Sequence, residues 1–327
     1  VPPHDIIHHI TTTGPPVFQR CRRLRNPLSN WVKDEFRNWT ASGACRPSSS
    51  QWANPIVIVQ KDKNKLSLKN DFNPKKLRLV GDYTRLNQQT VPDRYPLPNL
   101  FDATSGLHGT CVFSKIDLVR AYFNIPVAKE DIKKTAVISP ASLFEFLRMP
   151  FGLKNAPSSF ARFIHQVLGD LPFVFPYIDD LLISSRNLSE HYDHLLIVFQ
   201  RLDKFKLTIN LEKCEFCMSE LDFLGHTISK NGFRPTDQRV QYIKNLVKPK
   251  TIHGLRHVLG TFNFYRRFNK QAAEVLAPLN DVLKGKVGKK DRTLVSWTPL
   301  NWNKHFKKPS MNSQIIRYYT FLVIIIN

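Results

Sequence analysis

The sequence predicts an α+β protein built from two or three packed subdomains, on three observations. At 327 residues the chain exceeds the usual size of one domain. Up to Asn231-Gly232 its apolar residues switch between short strand-like runs and stretches at helical spacing; beyond that point helical spacing prevails. Hydrophobic residues make up 42% of the chain, which excludes wholesale disorder. The longest apolar run, Phe321 to Ile326, falls far short of the ~20 residues a membrane helix requires, and the N-terminus lacks the pattern of a secretory signal.

The elements follow in order. Residues 1–27, bearing Pro and His with little periodicity, read as an extended arm. Ser29 is placed to cap a helix in which Trp31, Val32, Phe36 and Trp39 recur at helical spacing, ending at Gly43. Pro55 to Val59 reads as a strand, Lys61 to Lys76 as a long lysine-rich loop, and Leu77 to Tyr83 as the return strand. Cys111 to Ile116 reads as a strand that delivers Asp117 at its end. Pro157 opens a helix whose apolar face is Phe160, Phe163, Ile164, Val167 and Leu168. Two apolar runs, Phe173 to Ile178 and Leu181 to Ser184, flank Asp179-Asp180 in a hairpin pattern with two carboxylates at its tip. Ser189 is placed to cap a helix carrying Leu195, Leu196, Phe199, Leu202 and Phe205, and Lys206 to Ile228 returns to strand-like alternation. Thr236 and Thr251 are placed to cap two further helices, bearing Val240, Ile243 and Val247, then Leu255, Val258, Leu259 and Phe262; Ala272 to Leu283 supplies a third.

Lys plus Arg number 48 against 26 for Asp plus Glu, a net charge of +22, and a surface this basic calls for a polyanionic partner. Nucleic acid fits better than an anionic membrane, although charge alone is equally compatible with a solvated face. Cys21, Cys45, Cys111, Cys214 and Cys217 are an odd number without small-scaffold spacing, which points to a reduced intracellular protein. The lone Cys214-x-x-Cys217 pair, with His226 beyond it, lacks the second pair that a zinc site needs.

Asp179 and Asp180 between apolar strands are costly: unpaired carboxylates there repel each other and raise their own pKa values. A divalent cation removes that cost, and hard oxygen ligands suit magnesium or manganese. An Asp pair is also an ordinary turn feature, so the acids alone decide nothing.

Their neighbours decide more. Tyr177-Ile178-Asp179-Asp180, with Phe113 to Leu118 upstream, resembles the palm signature of reverse transcriptases. Trp52 to Pro55, Gly81 to Asn87, Asp93 to Pro98, Met149 to Pro157, Phe223 to His226 and Phe264 to Phe268 agree with the gypsy class of LTR-retrotransposon polymerases in order and spacing. This resemblance, carried by about residues 4–287, implies a right-hand polymerase fold with an antiparallel-sheet palm, fingers and helical thumb. The implied boundaries are an N-terminal arm and helix over 1–50, fingers and palm over 51–231, a thumb-like helical part over 232–287, and a truncated, degenerate connection toward RNase H over 288–327.

The resemblance also implies roles. Asp117, Asp179 and Asp180, with the carbonyl of Leu118, would hold two magnesium ions, with manganese as a substitute. Lys61 and Arg78 would grip the incoming nucleotide's phosphates, and Arg120 and Ala121 would present backbone N–H groups to them. Tyr122 resembles the aromatic gate that excludes a ribose 2′-hydroxyl, and Phe151 and Gly152 match the segment lining the nucleotide pocket. Lys213 matches the position proposed to protonate departing pyrophosphate, and Phe223, Leu224, Gly225 and His226 resemble the primer grip. The implied partners are a primed RNA or DNA template and deoxynucleoside triphosphates, without a membrane. The implied setting is a cytoplasmic particle or the nucleus; oligomeric state is not legible.

Four departures qualify the match. The lysine-rich insert between Lys61 and Arg78 replaces a short turn, Pro176 sits in a strand leading to the acids, and Phe123 follows the gate tyrosine where a polar residue is usual. After Ser296 to Pro299 the resemblance stops: residues 292–327 contain no Asp or Glu, whereas RNase H chemistry requires clustered carboxylates. The leading reading is an RNA-directed DNA polymerase core of a retrotransposon, without protease, RNase H or integrase activity in this chain. The alternative is a catalytically inactive remnant that still binds nucleic acid.

Overall fold

A computed structural model describes residues 4–60, 72–99, 107–140, 142–246, 249–266, 272–286, 288 and 291–295. The chain divides into two compact units, Val1–Ser219 and Glu220–Asn327. Three strands that follow the strand-rich region in sequence therefore belong with the C-terminal helices. Among the described residues no helix is long and apolar enough to cross a membrane.

In the first unit, helix α1 (Leu28–Ala41) buries Val32, Phe36 and Trp39. Its cap lies two residues before the expected one: Pro27 occupies the N-cap position, so Ser29 lies inside the helix. Strands β1 (Cys45–Pro47), β2 (Asn54–Gln60) and β3 (Leu77–Gly81) lead to the short helix α2 (Thr84–Gln89) and then to β4 (Val112–Asp117). Strands β5 (Val137–Ile138) and β6 (Leu143–Phe146) complete a five-stranded sheet in the order β1-β6-β5-β2-β3. The expected return strand pairs antiparallel with β2, from Ile56 opposite Gly81 to Gln60 opposite Leu77. Residues 61–71 of the insert lie outside the described residues.

Helix α3 (Ala156–Leu168) carries proline in its first turn, as expected, and Phe160, Phe163, Ile164, Val167 and Leu168 are each no more than 2% exposed. Burying each such side chain is worth ~1.5–3 kcal/mol. Next come β7 (Val174–Tyr177), β8 (Asp180–Ser185), α4 (Leu188–Lys204) and β9 (Glu215–Met218). They form a four-stranded sheet with β4, in the order β7-β8-β4-β9, and α4 packs over β8 and β4 while α3 packs over β7. Pro176 is accommodated because β7 is an edge strand paired with β8 alone, where a missing N–H costs the ladder little.

Helix α4 corrects two expectations. Its N-cap is Asn187, whose side chain accepts a 2.9 Å hydrogen bond from the Glu190 N–H, so Ser189 lies within the first turn. Its buried stripe is His191, Leu195, Val198 and Leu202, which recur at i, i+4, i+7 and i+11. Leu196, rotated about 100° from Leu195, is 57% exposed, and Phe199 is 36% exposed.

The N-terminal arm is extended but docked. Isolated bridges pair His8 with Val127, Thr12 with Thr90 and Phe18 with Ala53, and His8 and Ile10 are buried.

The second unit opens with an antiparallel meander, β10 (Glu220–Phe223), β11 (His226–Ser229) and β12 (Gly232–Pro235). Helices α5 (Asp237–Lys244), α6 (Ile252–Tyr265) and α7 (Ala272–Asp281) follow, with a core that includes Ile243, Leu255, Leu259, Phe262 and Leu279. Thr251 caps α6 by accepting the Gly254 N–H at 3.1 Å, whereas Thr236 sits at the cap of α5 without such a bond. Val247 and the tail from 296 onward, with its expected RNase H connection, lie outside the described residues.

Candidate active site

The β7–β8 hairpin turns on two residues: Tyr177 pairs with Asp180, leaving Ile178-Asp179 at the tip. Ile178 has φ +53°, a left-handed conformation that costs a β-branched residue ~1–3 kcal/mol. Its side chain packs against the hydrophobic core, which holds the strained turn and hence Asp179 in place. On the adjacent strand Asp117 is the register partner of Asp180, so the ladder itself sets the two acids opposite one another. The Leu118 N–H donates to the Asp179 carbonyl at 2.9 Å, tying the third acid to the same corner.

Electrostatics make this corner unfavourable for three bare carboxylates. Burial, then Asp180 and Asp117, push the Asp179 pKa up to about 6, partly offset by Arg78 and Lys213. Burial and Asp117 also raise Asp180. Asp179 Oδ1 is buried without a hydrogen-bond partner. Among the described residues, three metal-ligand-type side chains converge within 4.8 Å at His9, Glu130 and Asp131, and not at the three aspartates. The Lys134 ammonium already lies 2.7 Å from Asp131, so that cluster has a protein cation of its own. The aspartates stand further apart, as mutual repulsion dictates, and the orphaned Asp179 oxygen fits a cation between them.

The residue after Asp117 is held by a bridge to Ile209, in which Val119 N–H donates to the Thr208 carbonyl at 2.7 Å and Asn210 N–H to the Asp117 carbonyl at 2.8 Å. The same Asn210 turn presents Lys213, whose ammonium lies 3.4 Å from Asp117 Oδ2.

A cleft of about 450 Å³ opens beside these acids, lined among others by Arg78, Asp117, Leu118, Arg120, Phe151, Asp179, Asn210 and Lys213. Arg120, at φ +47°, starts the 3-10 turn Ala121–Asn124, whose opening N–H groups have no partner within the turn. Tyr122 is 6% exposed and stacks on Phe151 at 4.9 Å between ring centroids; burial raises its phenol pKa, with Asp179 adding to the effect. The Arg78 guanidinium lies over the Phe151 ring, 5.2 Å from its centroid. Thus Asp117, Leu118, Arg78, Arg120, Ala121, Tyr122, Phe151, Asp179, Asp180 and Lys213 are gathered in one region, while Lys61 lies outside the described residues.

Sequence reasoning missed the clamp on the Phe151 loop. Asn87 donates to the Gly152 carbonyl and accepts from the Lys154 N–H, both at 2.8 Å. Gly152 has φ +95°, and a Cβ there would sit 3.2 Å from the Gly81 carbonyl. Both segments had been singled out by the motifs, but nothing local indicated that they bind each other.

The turn at 223–226 belongs to the second unit. Leu224 (φ +51°) and Gly225 (φ +80°) make the tight link between paired Phe223 and His226. Phe223 and His226 are buried, the latter against Phe233 and Phe264, so only Leu224 and Gly225 remain partly open at the tip.

Comparison with known proteins gives the family and the fold. The family described as Reverse transcriptase (RNA-dependent DNA polymerase) matches residues 61–228. The chain belongs to the reverse transcriptase family. The Retrovirus-related Pol polyprotein from transposon 297 of Drosophila melanogaster is 34% identical over 318 residues, covering 96% of this chain and 29% of that protein. The Transposon Tf2-3 polyprotein of Schizosaccharomyces pombe is 34% identical over 294 residues, covering 89% of this chain and 21% of the relative. This reverse transcriptase-family chain thus spans less than a third of either polyprotein. The structure of a foamy viral protease-reverse transcriptase in complex with double-stranded DNA superimposes with a TM-score of 0.78, at 24% identity, over 99% of this chain and 52% of that one. The fold is therefore the α+β right-hand polymerase fold.

Proposed function

We propose that this chain is the polymerase core of a retrotransposon reverse transcriptase, adding deoxynucleotides to a primer 3′-hydroxyl on an RNA or DNA template. The observation that carries this reading is the opposition of Asp117 and Asp180 across one strand pair, with the orphaned Asp179 oxygen beside them at the mouth of a cationic cleft.

Asp117, Asp179 and Asp180, with the Leu118 carbonyl, would hold two magnesium ions, or manganese in their place. When bound, such ions make the primer hydroxyl a better nucleophile and neutralise charge on the triphosphate. The remaining work is positioning. Arg78 would draw the phosphates into the cleft, a task the sequence resemblance also gives to Lys61, and the backbone at Arg120 and Ala121 would meet them from the strand end. Tyr122, stacked on Phe151, bounds the space beside the sugar, and Gly152 lets the loop approach closely. Lys213 would deliver a proton to the pyrophosphate as it departs. The Leu224-Gly225 tip, from the second unit, would bear on the primer, and the net charge of +22 supplies phosphate-dominated, salt-sensitive binding.

The test is extension of a DNA primer on an RNA template with magnesium and then manganese, against an Asp179→Asn/Asp180→Asn control. Extension that requires the two acids establishes the polymerase. Salt-sensitive binding of primer–template without extension establishes the inactive binder instead.

A further inference from the structure

Beneath the acid-bearing strands lies a polar chain that the catalytic reading does not use. His191, on α4, is fully buried. Its Nε2 lies 2.6 Å from Ser114 Oγ on β4, and its Nδ1 lies 2.7 Å from Ser185 Oγ on β8. Ser185 Oγ is also 2.8 Å from Nδ1 of His194, and Ser114 Oγ accepts the Cys217 N–H of β9 at 3.0 Å. Ser114 and Ser185 are themselves buried.

One hydrogen order satisfies every member. Cys217 N–H donates to Ser114, whose hydroxyl donates to His191 Nε2; His191 Nδ1–H donates to Ser185, whose hydroxyl donates to His194 Nδ1. The reverse order would point two donors at Ser114 and leave its own hydroxyl hydrogen without a place. This order needs His191 neutral, and burial, with His194 beside it, lowers its pKa.

The network sits where an apolar residue would ordinarily complete the α4 stripe, since His191 occupies the same face as Leu195, Val198 and Leu202. A buried polar chain in place of a leucine adds little net stability, but it does impose geometry. Ser114 is the partner of Ile183, two residues before Ser185, so the two serines are diagonal neighbours on the helix-covered face of β4 and β8. Strand alternation puts Asp117 and Asp180 on the opposite face of the same two strands. A register slip of one residue would separate the serines from His191 and the acids from each other.

We propose that His191 is a positioning residue: through Ser114 and Ser185 it locks β4 against β8, and so sets the Asp117–Asp180 spacing for divalent-cation binding. The proposal rests on the metal-binding reading of these acids. It predicts that the network governs metal affinity more than stability.

The test compares the wild-type chain with His191→Leu and with the triple variant His191→Leu/Ser114→Ala/Ser185→Ala, which removes the imidazole and both hydroxyls together, so that only the Cys217 N–H and His194 Nδ1, both on half-buried residues, lose a partner. Mn²⁺ binding is read from the EPR signal of the free ion, beside thermal unfolding, primer–template affinity and the Mg²⁺ dependence of extension. The expected result is a triple variant that unfolds within a few degrees of wild type and binds primer–template equally. Its Mn²⁺ dissociation constant and half-saturating Mg²⁺ rise by about tenfold, as for other residues that orient metal ligands. Metal affinity within twofold of wild type overturns the proposal. A triple variant that fails to fold does so too, since the network would then serve the fold. Wild-type protein that binds Mn²⁺ through Asp179 without extending a primer defeats the polymerase reading alone, and the Mn²⁺ comparison still decides this one.

Discussion

Asp117 and Asp180 face each other as register partners on neighbouring antiparallel strands, and every other feature of the candidate site is arranged around that pair. The strand ladder brings together two acids 63 residues apart, and the strained Ile178 turn adds Asp179.

The first consequence is a pH-dependent cost in the metal-free protein. The Asp179 pKa is raised from 3.8 to about 6, so its contribution to stability is fully present below pH ~3.8 and is lost as pH rises through about 6. At pH 7.5 the ionised group costs on the order of 1–2 kcal/mol after solvent screening. Asp179→Asn is expected to abolish extension, to unfold a few degrees higher than wild type at pH 7.5 without metal, and to lose that advantage near pH 4. Magnesium should raise the wild-type midpoint more than that of the variant. Equal midpoints at both pH values, measured by calorimetry, would contradict the burial of this charge.

How much of this was legible in the sequence depends on the range of the interaction. The α3 face from Phe160 to Leu168 and the acid-tipped hairpin were visible because periodicity and turn chemistry are local. The α4 cap was misplaced by two residues, although Asn187 and Glu190 carry a capping-box spacing that points to the right start. His191 was passed over because a histidine interrupts an apolar pattern whose spacing it fits. The docking of the N-terminal arm was not readable, since His8 reaches Ser159 across 151 residues and leaves no local signature.

Tyr122 offers a test of sugar discrimination. Its ring is fixed between Phe151, at 4.9 Å, and Phe160, at 5.2 Å, and Phe151 in turn lines the cleft, so Tyr122 backs the cleft wall from within. Tyr122→Ala is expected to lower the preference for deoxynucleotides over ribonucleotides by at least tenfold in kcat/KM. Tyr122→Phe, which keeps the stack, should retain it. Unchanged discrimination in the alanine variant would leave Tyr122 as a core residue only.

The Asn87 clamp should act on nucleotide binding. Asn87→Ala leaves the Gly152 carbonyl and the Lys154 N–H without their partner, costing ~1–2 kcal/mol of local order. Gly152→Ala strains the same loop through its φ of +95° and the nearby Gly81 carbonyl. Both variants are expected to raise KM for the nucleotide several-fold while primer–template affinity holds, as steady-state extension and filter binding can check. A matching loss of primer–template affinity would show that the loop supports the whole unit instead.

Lys213 is the residue for which two roles must be separated. Its ammonium lies 3.4 Å from Asp117 Oδ2, so it is placed to balance the acids as well as to donate a proton. The two roles respond differently to arginine, which keeps the charge but does not give up a proton near neutral pH. Lys213→Leu is expected to slow single-nucleotide addition by about 100-fold or more, within the range of general acid catalysis. If proton delivery dominates, Lys213→Arg should be nearly as slow as Lys213→Leu. Restoration of most of the rate by arginine would assign Lys213 to the electrostatic balance of Asp117.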